Sequence, residues 1–275
     1  MAARKSAKKV NKANTDIINM HCHIFPEKIE EKAVSAIGAF YDIPMQNKGT
    51  SEYLLEDGRS FGVSKYLVCS TATTAHQVES INNFVAREAA LHPEFIGFGS
   101  LHPDYENVAA EIDRMLTLGL RGIKLHPDFQ KFNIDDERAF PIYEAAEGRL
   151  PILFHTGDDR YDFSSPKRLA RILERFPKLV AIAAHLGGYR DWVDAAVNYG
   201  NPRVYIDTSS ALMFVPPEQA VNIIRAHGIS RVFFGTDSPM WSHKGEMERF
   251  NALPLTPEER RLILHDNAAA FLGLD

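Results

Sequence analysis

The sequence predicts an α/β protein folded as a single (β/α)8 (TIM) barrel. Eight short apolar runs of β type recur along the chain, and most of them start about 25–30 residues apart. Patterns typical of helices lie between these runs and carry start and stop signals. The 275 residues suit a barrel of this kind, which usually needs about 250. A doubly wound open sheet is the alternative, but the chain has no GxGxxG or P-loop motif.

The predicted strands are apolar runs, several of which end in histidine or aspartate. They are Ile17–His23, Lys65–Thr71, Phe95–His102, Gly122–His126, Pro151–His155, Leu179–His185, Val204–Thr208 and Val232–Asp237.

The predicted helices are delimited by capping residues, prolines and glycines. They cover Tyr105–Leu118, Pro141–Glu147, a segment capped by Ser165 that ends at Phe176, Asp191–Tyr199 and Pro217–His227. A single helix is expected after the eighth strand. Thr256 opens it with a capping box, and it continues through Leu262–Phe271.

Only the first strand–helix unit is long. Residues 24–64 contain a predicted helix at about 26–40 and an irregular, glycine-containing segment, and we expect this insertion to lie over the mouth of the barrel. Residues 1–15 are basic and lack the apolar core of a secretory signal, so they are predicted to be a disordered tail preceding the domain at 16–275.

Composition excludes several functional classes. A net charge of −5 and a pI near 6.1 give no basis for nucleic-acid binding. No apolar run approaches the roughly 20 residues that would span a membrane. Two cysteines do not make a disulfide framework, so a reducing, cytoplasmic location is expected.

Polar residues collect where the predicted strands end, which is the active-site face of such a barrel. They are His21, His23, Lys124, His126, His155, His185, Asp207 and Asp237.

Four of these residues form a candidate metal site. His21 and His23, two apart on one strand, point to the same face, and His155 and Asp237 end two other strands. Three imidazoles and a carboxylate suit zinc first, with manganese, iron or cobalt as alternatives. A metal there would lower the pKa of a bound water. Asp237 could accept the proton of that water, and His185 could polarise a carbonyl or act as acid or base.

Other residues are candidates for substrate binding, each with a structural alternative. Lys124 and His126 either face the site or lie inside the barrel, where Lys124 could pair with Asp207. Arg160 could bind a substrate carboxylate or form a surface salt bridge. Trp241, together with His243, could line the pocket.

The remaining residues singled out have structural interpretations. Cys22 is expected to pack between barrel and helices. The other histidines are expected to be surface or cap residues: His76, His92, His102, His227 and His265.

Five motifs in this strand order resemble those of the amidohydrolase superfamily. They are His21-x-His23, Gly122-x-Lys124-x-His126-Pro127, His155, His185-x-Gly187-Gly188 and Gly235-Thr236-Asp237-x-Pro239. Within it, the chain is most similar to the amidohydrolase-related group that includes aminocarboxymuconate semialdehyde decarboxylase and the resorcylate decarboxylases. The similarity extends from about Asp16 to the end of the chain.

The resemblance implies a metal held by His21, His23, His155 and Asp237, with His185 as catalytic residue or ligand of a second metal. A second metal would require a carboxylated Lys124. One metal is usual in the decarboxylase-like group and is the expectation here. A homodimer is also an expectation from the family.

Three functions remain open at this point. The first is a metal-dependent hydrolase in which activated water attacks the carbonyl of a small-molecule amide, lactone or ester. The second is a metal-dependent, non-oxidative decarboxylase of a small carboxylic acid. The third is a non-catalytic barrel that binds a metal or a carboxylate.

Overall fold

A computed structural model describes residues 16–274, and eight parallel strands form its centre. The predicted basic tail at 1–15 lies outside the described residues. The strands are β1 Ile17–His23, β2 Val63–Cys69, β3 Phe95–Ser100, β4 Gly122–Leu125, β5 Ile152–Phe154, β6 Ala181–Ala183, β7 Val204–Asp207 and β8 Val232–Phe233.

Neighbouring strands pair in chain order from β1 to β8. The ring is completed where β1 meets β8 and the residues after it. Met20 N–H donates to Phe234 O at 2.8 Å, and Asp237 N–H donates to His21 O at 2.9 Å. The barrel prediction is therefore confirmed, and the alternative of an open doubly wound sheet is wrong.

The apolar core has two parts, as expected of strands that alternate inward and outward side chains. Alternate strand residues such as Met20 and Phe98 form one cluster with the C-terminal helix. The larger cluster lies between strands and helices and includes Cys22, where the sequence predicted it. The register of β1 shifts between Asn19 and Cys22, as at a β-bulge, and bulges re-aim side chains beside active sites.

Twelve α-helices surround the barrel in the described part of the chain. They are α1 Glu27–Tyr41, α2 Ser51–Arg59, α3 Val78–Leu91, α4 Val108–Thr117, α5 Pro127–Gln130, α6 Phe140–Ala146, α7 Pro166–Arg175, α8 Trp192–Ala195, α9 Pro217–His227, α10 His243–Asn251, α11 Pro257–Arg261 and α12 Asn267–Leu272.

Several predicted boundaries were wrong. The last strands are shorter than expected, because the backbone leaves extended geometry at their ends; His185 and Asp237 both have positive φ. Three helices rather than one follow β8, and a π-helical turn at Leu262–Asp266 joins the last two. Ser165 precedes α7 without making a side-chain capping bond, whereas the Thr256 capping box is present.

Across residues 16–274, none of the helices has the length and apolarity required to cross a bilayer.

Candidate active site

All the predicted polar residues except Asp207, which lies behind His21, surround one large cavity at the C-terminal ends of the strands. The cavity measures about 1210 Å³. Its inner wall is formed by His21, His23, Lys124, His126, His155, His185 and Asp237. The insertion contributes the opposite wall, because α1 lies over the barrel mouth as the sequence predicted.

His21, His23 and Asp237 form the centre of the site. Their potential ligand atoms lie within 4.8 Å of one another. Asp237 Oδ1 is 3.1 Å from His23 Nε2 and 3.6 Å from His21 Nε2. Burial alone would raise the pKa of Asp237, but the adjacent His21 imidazole and the hydrogen bond with His23 hold that pKa well below the usual range.

The partners of His21 define which of its nitrogens can bind a cation. Nδ1 lies 2.9 Å from Asp207 Oδ2, and an ionised carboxylate only accepts, so Nδ1 carries the proton. Nε2 is left with a lone pair and accepts from Lys124 Nζ at 3.1 Å. Burial and the nearby Lys124 lower the pKa of His21 to about 4 despite Asp207, which keeps the ring neutral at neutral pH.

His155 and His185 show the same arrangement. His155 Nε2–H donates to Gly157 O at 3.0 Å, and His185 Nδ1–H donates to Ser209 O at 3.0 Å. Carbonyl oxygens only accept, so both protons are assigned to these nitrogens. The remaining nitrogens, His155 Nδ1 and His185 Nε2, face each other at 3.0 Å, each with a lone pair. Two opposed lone pairs repel unless a cation lies between or beside them.

The donor set fits a divalent transition metal. Metal-binding histidines are neutral and give their second N–H to a carboxylate or carbonyl, as His21, His155 and His185 do here. Of the four predicted ligands, three form the central group, and His155 lies outside that group, adjoining the site through His185.

The whole barrel matches one family. The family model described as Amidohydrolase matches residues 18–274. The chain belongs to this family. A relative at the sequence level is 2-amino-3-carboxymuconate-6-semialdehyde decarboxylase of Dictyostelium discoideum, 29% identical over 240 residues. The match covers 71% of this chain but 66% of that protein, slightly less than two thirds of its length.

Solved structures share the fold of this chain. An uncharacterised TIM-barrel protein of Bordetella bronchiseptica superposes with a TM-score of 0.77 at 21% identity, covering 94% of this chain and 99% of that one. A 5-carboxyvanillate decarboxylase of Novosphingobium aromaticivorans, solved with manganese and 4-hydroxy-3-methoxy-5-nitrobenzoic acid, gives 0.71 at 18% identity, covering 94% and 96%.

The predicted substrate-binding residues have different surroundings. Lys124 and His126 are buried and line the main cavity. Lys124 donates to His21, and no hydrogen bond from Lys124 to Asp207, the alternative partner that the sequence allows, is found among the described residues. His126 stacks on His155 with ring centroids 4.0 Å apart. Arg160 binds Asp158 through two nitrogens, at 2.9 and 2.7 Å, and Phe40 O through a third, so its donors are engaged within the protein.

Trp241 lines a smaller neighbouring cavity of about 730 Å³. Its Nε1–H donates to Ser210 Oγ at 2.9 Å, and that hydroxyl donates to Asp237 Oδ2 at 2.6 Å. His243 lines neither of these two cavities; it is buried between Asp57 and Asn19.

Two histidines expected to be surface or cap residues are buried. His102 is 7% exposed and His227 is fully buried, where it donates to Val204 O. The local sequence around each shows only a helix or strand end, and the tertiary contacts that cover them are not visible in it.

Two residues of the cavity wall were missed from the sequence. Tyr41, at the end of α1, places its hydroxyl 3.0 Å from His126 Nε2. Asp128 is buried, and neither carboxylate oxygen has a hydrogen-bond partner among the described residues. Burial raises the pKa of Asp128 to about 7. The sequence could have indicated Asp128, because it follows His126 by two residues. It contains no comparable indication for Tyr41.

Proposed function

We propose that this enzyme removes carbon dioxide from a carboxylic acid, without oxidation, using a divalent metal ion. The match to the Dictyostelium decarboxylase is the observation that carries the proposal. It favours the second function inferred from the sequence over the first, hydrolysis of an amide, lactone or ester. The fold itself is compatible with both.

We propose His21, His23, His155 and Asp237 as the residues that hold the metal, with zinc or manganese as the ion. Support comes from the clustering of His21, His23 and Asp237 and from the neutral rings of His21 and His155, whose second N–H groups are fixed on Asp207 and on Gly157 O. A bound divalent ion would supply positive charge that anchors the substrate and stabilises developing negative charge.

The reaction breaks the bond between the carboxyl carbon and its neighbour. The electron pair stays on the neighbouring carbon, carbon dioxide leaves, and a proton takes its place. We assign transfer of that proton to His185. Its Nδ1–H is fixed on Ser209 O, so Nε2 is the nitrogen that would take up a proton from solvent and pass it to the carbon. Lys124 and His126, also on the cavity wall, would orient the acid.

The test begins with metal content and reaction products of the purified enzyme. We expect one equivalent of transition metal per chain and release of carbon dioxide from acids in a panel of aromatic and unsaturated carboxylates. Release of alcohol or amine from esters, lactones or amides, with no carbon dioxide from any acid, would refute decarboxylation. Two equivalents would instead implicate a carboxylated Lys124.

Two variants separate the assigned roles. His21→Ala combined with His23→Ala should lose metal and activity together while the barrel stays folded. His185→Gln should retain metal and lose at least about 100-fold in turnover. A fully active His185→Gln enzyme would remove His185 as the proton donor. Metal or carboxylate binding with no turnover of any acid, ester, lactone or amide would favour the non-catalytic interpretation.

A further inference from the structure

One face of α1 is apolar and is not covered by the protein core. Ile29, Ala33, Ala36, Ile37 and Phe40 recur at helical spacing and all line the main cavity. Across residues 16–274, none of the five belongs to either hydrophobic cluster. Ile29 is 45% exposed.

The opposite side of the same helix is anchored. Val34 and Gly38 are its only buried residues in the described structure. A side chain at Gly38 would collide with Met45, so the helix lies directly on the segment that follows it. The apolar face is therefore held over the cavity from the opposite side of the helix and, at its C-terminal end, by the packing of Phe40 on Phe129.

The cavity beneath this face is continuous with the candidate metal site. Ile81 and Phe84 of α3 line its other side, and His21 and Asp237 lie at its inner end. From Ile29 to Phe40 the helix rises about 16 Å. The volume of about 1210 Å³ exceeds the roughly 300–1,000 Å³ of ordinary small-molecule sites.

We propose that the substrate is a carboxylic acid with an extended apolar body, which lies under α1 while its carboxylate binds at the metal site. The inference rests on the proposed function for the carboxylate end. Exposed apolar surface lining a cavity is stabilised when a ligand removes it from water, and the length of the apolar face, about 16 Å, fits an acid longer than a single substituted ring.

The experiment measures equilibrium binding to the metal-loaded enzyme by calorimetry. The probes are benzoate, 4-butylbenzoate and 4-octylbenzoate, each used below its micelle concentration. A fully buried methylene strengthens binding about fourfold, so we expect at least about tenfold between the butyl and octyl acids. Equal affinity for butyl and octyl acids would overturn the proposal.

Alanine-to-tryptophan variants provide matched controls within α1. Ala33→Trp fills the space under the helix. The gain in affinity from the butyl to the octyl acid should then fall below about threefold. Ala39→Trp, on the exposed side, should leave the gain as in the wild type. Ala36→Trp repeats the first change if Ala33→Trp does not fold. An undiminished gain in a folded cavity-side variant would place the alkyl chain elsewhere and refute the proposal.

The two proposals fail in different ways. Length-dependent binding without carbon dioxide release from any acid would refute the proposed function and leave the apolar cavity assignment standing. Carbon dioxide release from short acids, with no gain from added methylenes, would refute the extended substrate and leave decarboxylation standing.

Discussion

Replacing Asp207 with asparagine should weaken metal binding by reversing the tautomer of His21. Asp207 Oδ1 accepts two backbone N–H groups, from His185 at 3.1 Å and Ser209 at 3.0 Å. These donors would hold the oxygen of an asparagine in the same place and turn its NH2 toward His21 Nδ1. Nδ1 would then have to accept, and the proton of His21 would move to Nε2, the nitrogen assigned to the metal.

The expected loss is 10- to 100-fold in metal affinity, the usual effect of removing such a supporting carboxylate. That corresponds to about 1.4–2.7 kcal/mol. Chelator competition on the purified variant measures it directly, and circular dichroism checks the fold. Asp207→Ala should additionally lose stability, because the backbone donors of His185 and Ser209 would be buried without an acceptor, at about 1–3 kcal/mol each.

Asp57→Asn is the matched control. Asp57 also accepts from a histidine Nδ1, that of His243 at 2.7 Å, but this pair lies outside the main cavity. The variant should lower the melting temperature without changing metal affinity. If Asp207→Asn binds metal within about threefold of the wild type while Asp57→Asn behaves as expected, His21 does not depend on Asp207 and the tautomer argument is wrong.

Three further predictions concern stability. Burial raises the pKa of Glu246 to about 8, although Arg249 opposes the shift, so stability should fall as pH rises from about 4.5 toward 8. The free energy of unfolding of Glu246→Gln, measured in urea relative to wild type, should therefore increase by on the order of 2–4 kcal/mol from pH 5 to pH 9. An equal difference from wild type at both pH values would contradict this. Gly122→Ala would place a methyl against the Phe98 ring, too close for an ordinary contact, and should cost about 1–3 kcal/mol in urea unfolding. Gly245→Ala, whose methyl is crowded only by the flexible end of Arg249 and otherwise makes an ordinary contact with Ser242, should be neutral or stabilising in the same measurement. Removing the metal with a chelator should lower the free energy of unfolding by about 2.7 kcal/mol at a metal concentration 100 times Kd, and an unchanged melting temperature would argue against a metal-loaded native state.

The barrel was predictable because its signals are local and repeated. Each strand is a short apolar run, and each βα unit has a length that permits only a few topologies. Boundaries near the site were less predictable. Asp237 reads as the end of an apolar run, yet the β8 ladder stops at Phe233, because the chain turns there to bring Asp237 beside His23.

The inner wall of the site was predictable for the same reason. The C-terminal ends of the strands converge in any barrel, so histidines at the ends of predicted strands were expected to lie close together. Pairwise contacts were not predictable. Nothing in the sequence distinguishes Lys124 bonded to His21 from Lys124 bonded to Asp207, since both lie within reach across the barrel interior.

Residues from the insertion were hidden for a different reason. Tyr41 reaches His126 only because α1 crosses the barrel mouth, and the direction of an inserted helix depends on a few anchoring contacts such as Gly38 on Met45. Those contacts are long-range or irregular, so periodicity carries no information about them.

The division of the site between strand ends and the inserted helix has a functional consequence. In the proposed reaction, the strand ends would hold the groups that act on the carboxylate, and α1 would shape the space for the rest of the substrate. Changes in α1 should therefore alter which acid binds without altering metal affinity. Changes at His21 or Asp207 should alter metal affinity without altering which acid is preferred.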